Sequence, residues 1–485
     1  MKPNAYSESG TLQTMDNTEY VYNCRDLVIK KIENYAENGE RSSVTVSEMS
    51  YDANGNKLSE KDALGNLTAY TYTSGNKIKT VLSPESANKG LTFSNVFLYN
   101  GIGQNVSSTD ANGVTSAAEY DAMGNVLKKS ISRGDETAVV ETNTYDAAGR
   151  LLTKTDGNGN TVSYTYNELG EISDITYPSD TSFAGNVVER KYAPNGKIAY
   201  EINSLGTQTL YSYDEAGRNT SVTIQNSTNA PLTTSVKYDL SGNIIKDIDG
   251  NGNAKIYEYD LLNRRVSETV NGKRTEYSYD SNGNNTSVTD WRGNTSVNVY
   301  DSLDRLVGVY DAYGKQVSEK AYNANGSQIS DKDALGNITR YEYDRDNRQV
   351  RTVDALNRST CKAYDAVGNV ISQTSPNGNT KTFAYDMFNN LISVTQTVNN
   401  TQENTSYTYD ACGNMLSQTD AKGNTTEFEY NSANLVSKKI FSGGENDETR
   451  RETYTYYADG SVATKTDRNG VVISYSYDAA GRPVE

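Results

Sequence analysis

Apolar and polar positions alternate with a period of two in short runs along the chain. Tyr341 and Tyr343, Tyr257 and Tyr259, Tyr475 and Tyr477, and Val44 and Val46 each stand two apart, with Thr, Ser and Glu among the residues around them. Runs of this kind predict strands of about five to eight residues with one aromatic and one polar face. Between the runs lie quartets of the form Asp-x-x-Gly, as in Asp410 to Gly413 and Asp420 to Gly423. They predict type I turns whose fourth residue is left-handed, the short hairpin with a bulge. Two substitutions fit that geometry. Pro194 and Pro376 occupy the second corner, where φ is already near −65°. The fourth position, when not Gly, is Asn263, Asp304, Asn347, Asn357, Asn389 or Asn434, the residue types that best tolerate φ > 0. Helical periodicity is weak throughout; residues 25–37 (RDLVIKKIENYAE) are the one stretch that can be drawn as a helix.

The pattern recurs from end to end. Tyrosines that precede a turn fall at Tyr300, Tyr322, Tyr343, Tyr364 and Tyr385, in steps of 22, 21, 21 and 21. The series runs back through Tyr51, Tyr72 and Tyr99 and forward through Tyr409, Tyr430, Tyr457 and Tyr477. A period in this range sustained over a whole chain predicts a repeat architecture, two strands per unit. Longer steps place insertions at residues 80–92, 176–187, 226–233, 396–405 and 440–450, where extra length at a hairpin tip costs little. Residues 1–44 read as an atypical leading part and residues 45–485 as one continuous array ending inside a repeat.

Composition changes this picture in one respect. Apolar residues are 35% of the chain, below the roughly 45–50% of ordinary globular domains, so a deep hydrocarbon core is not expected. There are 38 Tyr against 7 Phe and 1 Trp. Rows of Tyr on neighbouring strands at ~4.8 Å would supply buried area while their hydroxyls reach polar partners at the margin.

Charge and chemistry mainly exclude. A net charge of −16 argues against nucleic-acid or anionic-membrane surfaces, and no run of 18 apolar residues provides a membrane span. The absence of His removes Ser-His and Cys-His nucleophile pairs and His-ligated zinc. Cys24, Cys361 and Cys412 are far apart and form no CxxC, so they read as incidental thiols. Asp52, Asp62, Asp121, Asp146 and Asp156 could be imagined as acid/base pairs, but the same Asp recurs at every turn, where its side chain caps the backbone. DANGN at 52–56 and DGNGN at 156–160 and 249–253 resemble the start of a calcium loop and lack its terminal Glu. No catalytic, cofactor or metal residue is therefore assigned, and the chain reads as non-enzymatic.

The double-turn pattern YDxxGN(L/V)xxxTDxxGNTxxYxYD resembles the YD repeat, also called the RHS repeat. Good copies are YDANGNKLSEKDALGNLTAYTY at 51–72, YDAAGRLLTKTDGNGNTVSYTY at 145–166 and YDACGNMLSQTDAKGNTTEFEY at 409–430. The resemblance implies an all-β fold, tandem hairpins forming a long curved or spiralling sheet that is part of a hollow shell. It also implies a bacterial, extracellular or cell-surface setting, with the shell enclosing or presenting a C-terminal toxin or effector. The family's closing segment and its autoproteolytic aspartates have no counterpart here, because the sequence stops within YDAAGRPVE; a fragment of a longer exported protein is the expectation. A strip of ~190 Å, from about twenty repeats at two strands each, would make about one circuit of a ~50 Å cavity. The alternative is a surface module whose Tyr and Asn rows and hairpin tips bind glycans or a partner protein.

Overall fold

The computed structural model describes residues 5–6, 12–13, 17–37, 40–226, 230–398, 401–442, 450–478 and 481–484. Its main sheet has 41 strands, from Asn17–Tyr22 to Val472–Ser474, with antiparallel pairing between strands consecutive in the chain. The sheet is thus an open strip and not a closed barrel. Residues 25–37 are not a helix: Val28–Glu37 is a strand paired to Asn17–Tyr22 on one side and Glu40–Tyr51 on the other. Its β-branched Val28, Ile29 and Ile32 suit a pleated surface better than a helix.

The turns have the geometry the quartets encode. At residues 52–56, Gly55 N donates to Asp52 O (3.2 Å), Asp52 N donates to Asn56 O (2.9 Å), and Gly55 has φ 87°. The ladder then slips by one residue between Ser50 and Tyr51, the bulge that follows a left-handed fourth corner. All six non-glycine fourth corners lie between φ 59° and 64°. Asp26 and Asn76 do the same at φ 59° and 58°, so the turn geometry begins as early as residues 23–26. Asn271–Gly272 is a two-residue hairpin between Val270 and Lys273, with φ 52° and 75°. The Asn-Gly pair is a direct sequence signal for that turn.

Insertion 80–92 contains a helix, Pro84–Asn88. The Ser83 hydroxyl caps it by accepting from Ser86 N, and Pro84 supplies a prearranged φ at the first turn. This S-P-E-S signal is readable in the sequence. Insertion 440–450 lies mostly outside the described residues, as do the tips of 226–233 and 396–405.

Few side chains are fully buried. Among the described residues the buried apolar ones are Val114, Ile175, Phe183 and Ala458. The chain exposes 28115 Å², against about 18,000 Å² for a compact monomer of this mass. Stability therefore rests on ladders and turn networks, not on a core. Two compact units are distinguished, residues 1–115 with 258–382 and residues 116–257 with 383–485. Each contains two separate passes of the strip.

Candidate functional site: the turn edges

Every described aspartate among the imagined acid/base pairs is a turn cap. Asp52 Oδ1 accepts from Asn54 N (2.8 Å) and Asn56 N (2.9 Å), and Oδ2 accepts from Asn56 Nδ2 (2.9 Å). Asp62, Asp121 and Asp156 repeat this arrangement with Asn66, Asn125 and Asn160. The Asn56 side-chain amide, more than any other group, holds the Asp52 carboxyl below the usual carboxylate range. In Asp146 the fifth residue is Arg150, whose backbone N–H is the largest cause lowering the carboxyl; desolvation pushes the other way, and the Arg150 guanidinium adds to the lowering. Carboxylates fixed this way are acceptors already in use, poorly suited to proton transfer.

Arginine at that fifth position links one repeat to the next. Arg150 Nε donates to Asp146 Oδ2 (2.7 Å) while its guanidinium lies 4.7 Å from the Tyr166 ring centre. Arg218 over Tyr238 and Arg348 over Tyr364 repeat the stack at 4.6 and 5.0 Å, and each donates from Nη1 to the carbonyl of the Asp two turns further along the chain, Asp239 and Asp365. The tyrosine hydroxyl turns back instead. Tyr166 donates to Leu151 O (2.7 Å), Tyr343 to Gln328 O (2.7 Å) and Tyr430 to Met415 O (2.9 Å). The ladder tyrosines are two strands apart, about 9.6 Å, and the expected ring-on-ring row is replaced by rings interleaved with cations and carbonyls. One position is shifted: Tyr456, donating to Val436 O (2.5 Å), holds the ladder place, and Tyr457 stands where the turn aspartate usually does.

Glu141 and Tyr211 are among the ionisable groups displaced far from their usual range. Burial pushes Glu141 up, but Asn143, Lys154 and Lys129 more than offset it and bring its carboxyl down to about 2. The Lys contacts are 3.0 and 3.1 Å. Tyr211 is pushed up to about 12, first by burial and then by the Glu201 carboxylate that it reaches at 3.1 Å. Arg190 pairs with the same Glu201 at 2.6 Å. Both groups sit on paired strands, Glu141 opposite Lys129 beside a bulge and Tyr211 opposite Val222. Cys24 and Cys412 are exposed and Cys361 is half-buried, all as free thiols. The DANGN and DGNGN segments at 52–56, 156–160 and 249–253 are occupied by their own turn hydrogen bonds.

What sequence reasoning missed is the use of the turns on one another. In the first unit, Asn325 Nδ2 donates to Asp62 Oδ2 (2.7 Å) and Leu64 N to Asn325 Oδ1 (3.2 Å). Asp346 receives Ser83 Oγ and Glu85 N, each at 2.8 Å, and Asn112 Nδ2 donates to Asp365 Oδ2 (2.9 Å). In the second unit, Asn158 donates to Asp410 (2.8 Å), Asn434 to Asp156 (3.0 Å) and Tyr456 N to Ser182 O (3.0 Å). Gly157 lies so close that an added Cβ would stand 2.8 Å from Ala411 Cβ. A cleft of about 460 Å³ opens beside these contacts, lined by Val162, Tyr177, Phe183 and Leu435 among others. The turns that meet are 252 to 278 residues apart. That is about 23 strands, or roughly 110 Å of strip, a shorter return than the circuit of a ~50 Å cavity expected from sequence.

Two family models match. "RHS Repeat" matches residues 145–182, 364–401 and 456–485, and "Teneurin YD-shell" matches residues 187–371. No curated protein matches the chain. Among solved structures, the crystal structure of TcdB2-TccC3-TEV aligns with TM-score 0.66 and 14% identity over 93% of this chain and 30% of that one. TcdB2-TccC3-Cdc42 aligns with TM-score 0.60 at 14% identity over 96% and 28%. The Photorhabdus luminescens Tc holotoxin pore aligns with TM-score 0.59 at 14% identity over 96% and 27%. At such identity the likeness shows the fold, and the chain spans less than a third of each of those chains.

Proposed function

We propose that this chain, which the RHS Repeat and Teneurin YD-shell models match over separate segments, is a stretch of shell wall that encloses or presents a toxic effector in an exported bacterial protein. The array from residue 45 to residue 485 acts in this reading as one run of wall, with an architectural and not a chemical task. The observation that carries it is the likeness over 93% of the chain to TcdB2-TccC3-TEV. The edge contacts support it too, because a wall must hold successive passes of the strip together without a core.

The glycan-binding alternative calls on free aromatic faces. Arg150, Arg218 and Arg348 cover the rings of Tyr166, Tyr238 and Tyr364, which favours the wall. Limited proteolysis of the full-length gene product tests the proposal. An enclosed polypeptide outside this array would survive until denaturant opens the array; digestion at the same rate before and after unfolding would contradict enclosure.

A further inference from the structure

Contacts between repeated turns leave their own register open. Asn112 Nδ2 donates to Asp365 Oδ2 (2.9 Å) and Asn158 Nδ2 to Asp410 Oδ2 (2.8 Å), in both cases a third corner reaching a first corner. One repeat earlier, Asp344 and Asp386 head turns capped in the same way: Asp344 Oδ1 accepts from Asp346 N (3.0 Å) and Asp386 Oδ1 from Phe388 N (2.8 Å). Either could serve as the acceptor. Bending does not choose between them. Shared over the about 23 strands between meeting turns, a slip of one repeat changes each interstrand rotation by about a tenth, within the roughly 10–35° over which such rotations vary. Only a feature that does not repeat can fix which turn meets which.

Two insertions are such features. In the first unit, insertion 80–92 seats on turn 344–347, where Asp346 takes Ser83 Oγ and Glu85 N, and beyond it Lys89 Nζ donates to Tyr364 O (2.9 Å). In the second unit, insertion 176–187 crosses to turns 431–434 and 457–460. Asp180 Oδ1 accepts from Ser182 N (2.8 Å) and Phe183 N (3.0 Å), folding the segment back, while Oδ2 accepts from Ser432 N. Ser182 O accepts from Tyr456 N (3.0 Å), and Phe183 pairs with Tyr456 as an isolated parallel bridge. Of the four buried apolar side chains among the described residues, Phe183, Ile175 and Ala458 belong to this insertion, the strand entering it and the turn receiving it, so apolar burial concentrates at the crossing. The receiving turns are also marked in sequence. Among the turns that directly follow a ladder tyrosine, only 344–347 (DRDN) and 457–460 (YADG) have an acidic third residue, Asp346 and Asp459. Asp459 lines the cleft together with Phe183.

We propose that insertions 80–92 and 176–187 are register keys: each fits one receiving turn within its own unit and thereby sets which turns of the strip meet. Asn–Asp contacts between turns hold the edges together in any register, and the keys select one. A unit that loses its key keeps its strands and its turns and loses the single register. This role is independent of what the wall encloses.

Disulfide trapping in the second unit tests this. With the three native cysteines replaced by Ser, Asn158→Cys is combined with Asp410→Cys to trap the register of the structure, or with Asp386→Cys to trap a slip of one repeat. Each pair is placed in the otherwise unaltered chain, in a chain whose residues 177–186 are replaced by Asp-Ala-Asn-Gly, and in the length-preserving double variant Asp180→Ala, Phe183→Ser. Circular dichroism checks that the strands are kept. The unaltered chain should trap only the 158–410 pair, and the 158–386 linkage should rise about tenfold or more in both altered chains. Altered chains that still trap only 158–410 overturn the proposal. So do altered chains that trap neither pair, because the insertion would then hold the edges without selecting their register, and so does an unaltered chain that traps both pairs equally.

Discussion

At the residue scale the decisive feature is a backbone conformation. Gly252 has φ 83° with open space around it, so a side chain there meets no steric neighbour and pays only for the left-handed backbone. Gly252→Val should cost about 1–2 kcal/mol of local stability, whereas Gly252→Asn, a residue type that tolerates a left-handed φ, should cost less. Denaturant titration of both variants separates them. Glu141 gives the clearest pH signature. Its folded carboxyl lies at about 2 against the usual 4.5, so its contribution is complete above 4.5 and fades as pH falls toward 2. Glu141→Gln lacks that contribution. The melting temperature of the unmodified chain should therefore fall more steeply than that of Glu141→Gln over this window, and parallel curves would remove the role assigned to Lys129 and Lys154. This scale was the most legible in sequence: Asn263, Asp304 and Pro194 stated the turn geometry outright, because only a few residue types tolerate those dihedrals.

At the scale of elements, strands and turns were readable because alternation and Asp-x-x-Gly are local signals. What each tyrosine does was not. A ring two strands from its equivalent cannot stack on it, and the partner that fills the gap, such as Arg150 under Tyr166, belongs to the preceding turn. Tyr343→Phe keeps the ring and removes the donor to Gln328 O, which should cost about 1 kcal/mol. Hydrogen exchange should quicken first in Gln328–Asp333 and Ile338–Tyr343, the strands joined by that bond. Uniform exchange across the sheet would mean that the hydroxyl does not tie repeats together. Tyr456 and Tyr457 show the limit of pattern matching: a doubled tyrosine offers two registers, and only the ladder, with Tyr456 opposite Val462, decides between them.

At the scale of the whole molecule, no local rule says which turns meet. Asn112 and Asp365 look like any other turn residues, and their pairing depends on how sharply the strip bends, which accumulates over many strands. The same distance dependence explains why a circuit estimated from an assumed cavity came out too long. The edge contacts are also where a wall of this kind is most easily broken. Gly157→Leu should separate the turns of 156–159 and 410–413 and expose both to protease while leaving the circular dichroism of the strands unchanged.

Within the first unit the strip returns to itself edge against edge, and turn 110–113 meets turn 365–368. With the three native cysteines replaced by Ser, Asn112→Cys and Asp365→Cys place two thiols where side chains now hydrogen-bond at 2.9 Å across 253 residues. Oxidation should form one intramolecular disulfide, seen as faster migration on a non-reducing gel and as the linked peptide after digestion. A control pair, Asn112→Cys with Asp354→Cys, should not close. No linkage in the first pair, or equal linkage in both, would contradict the account.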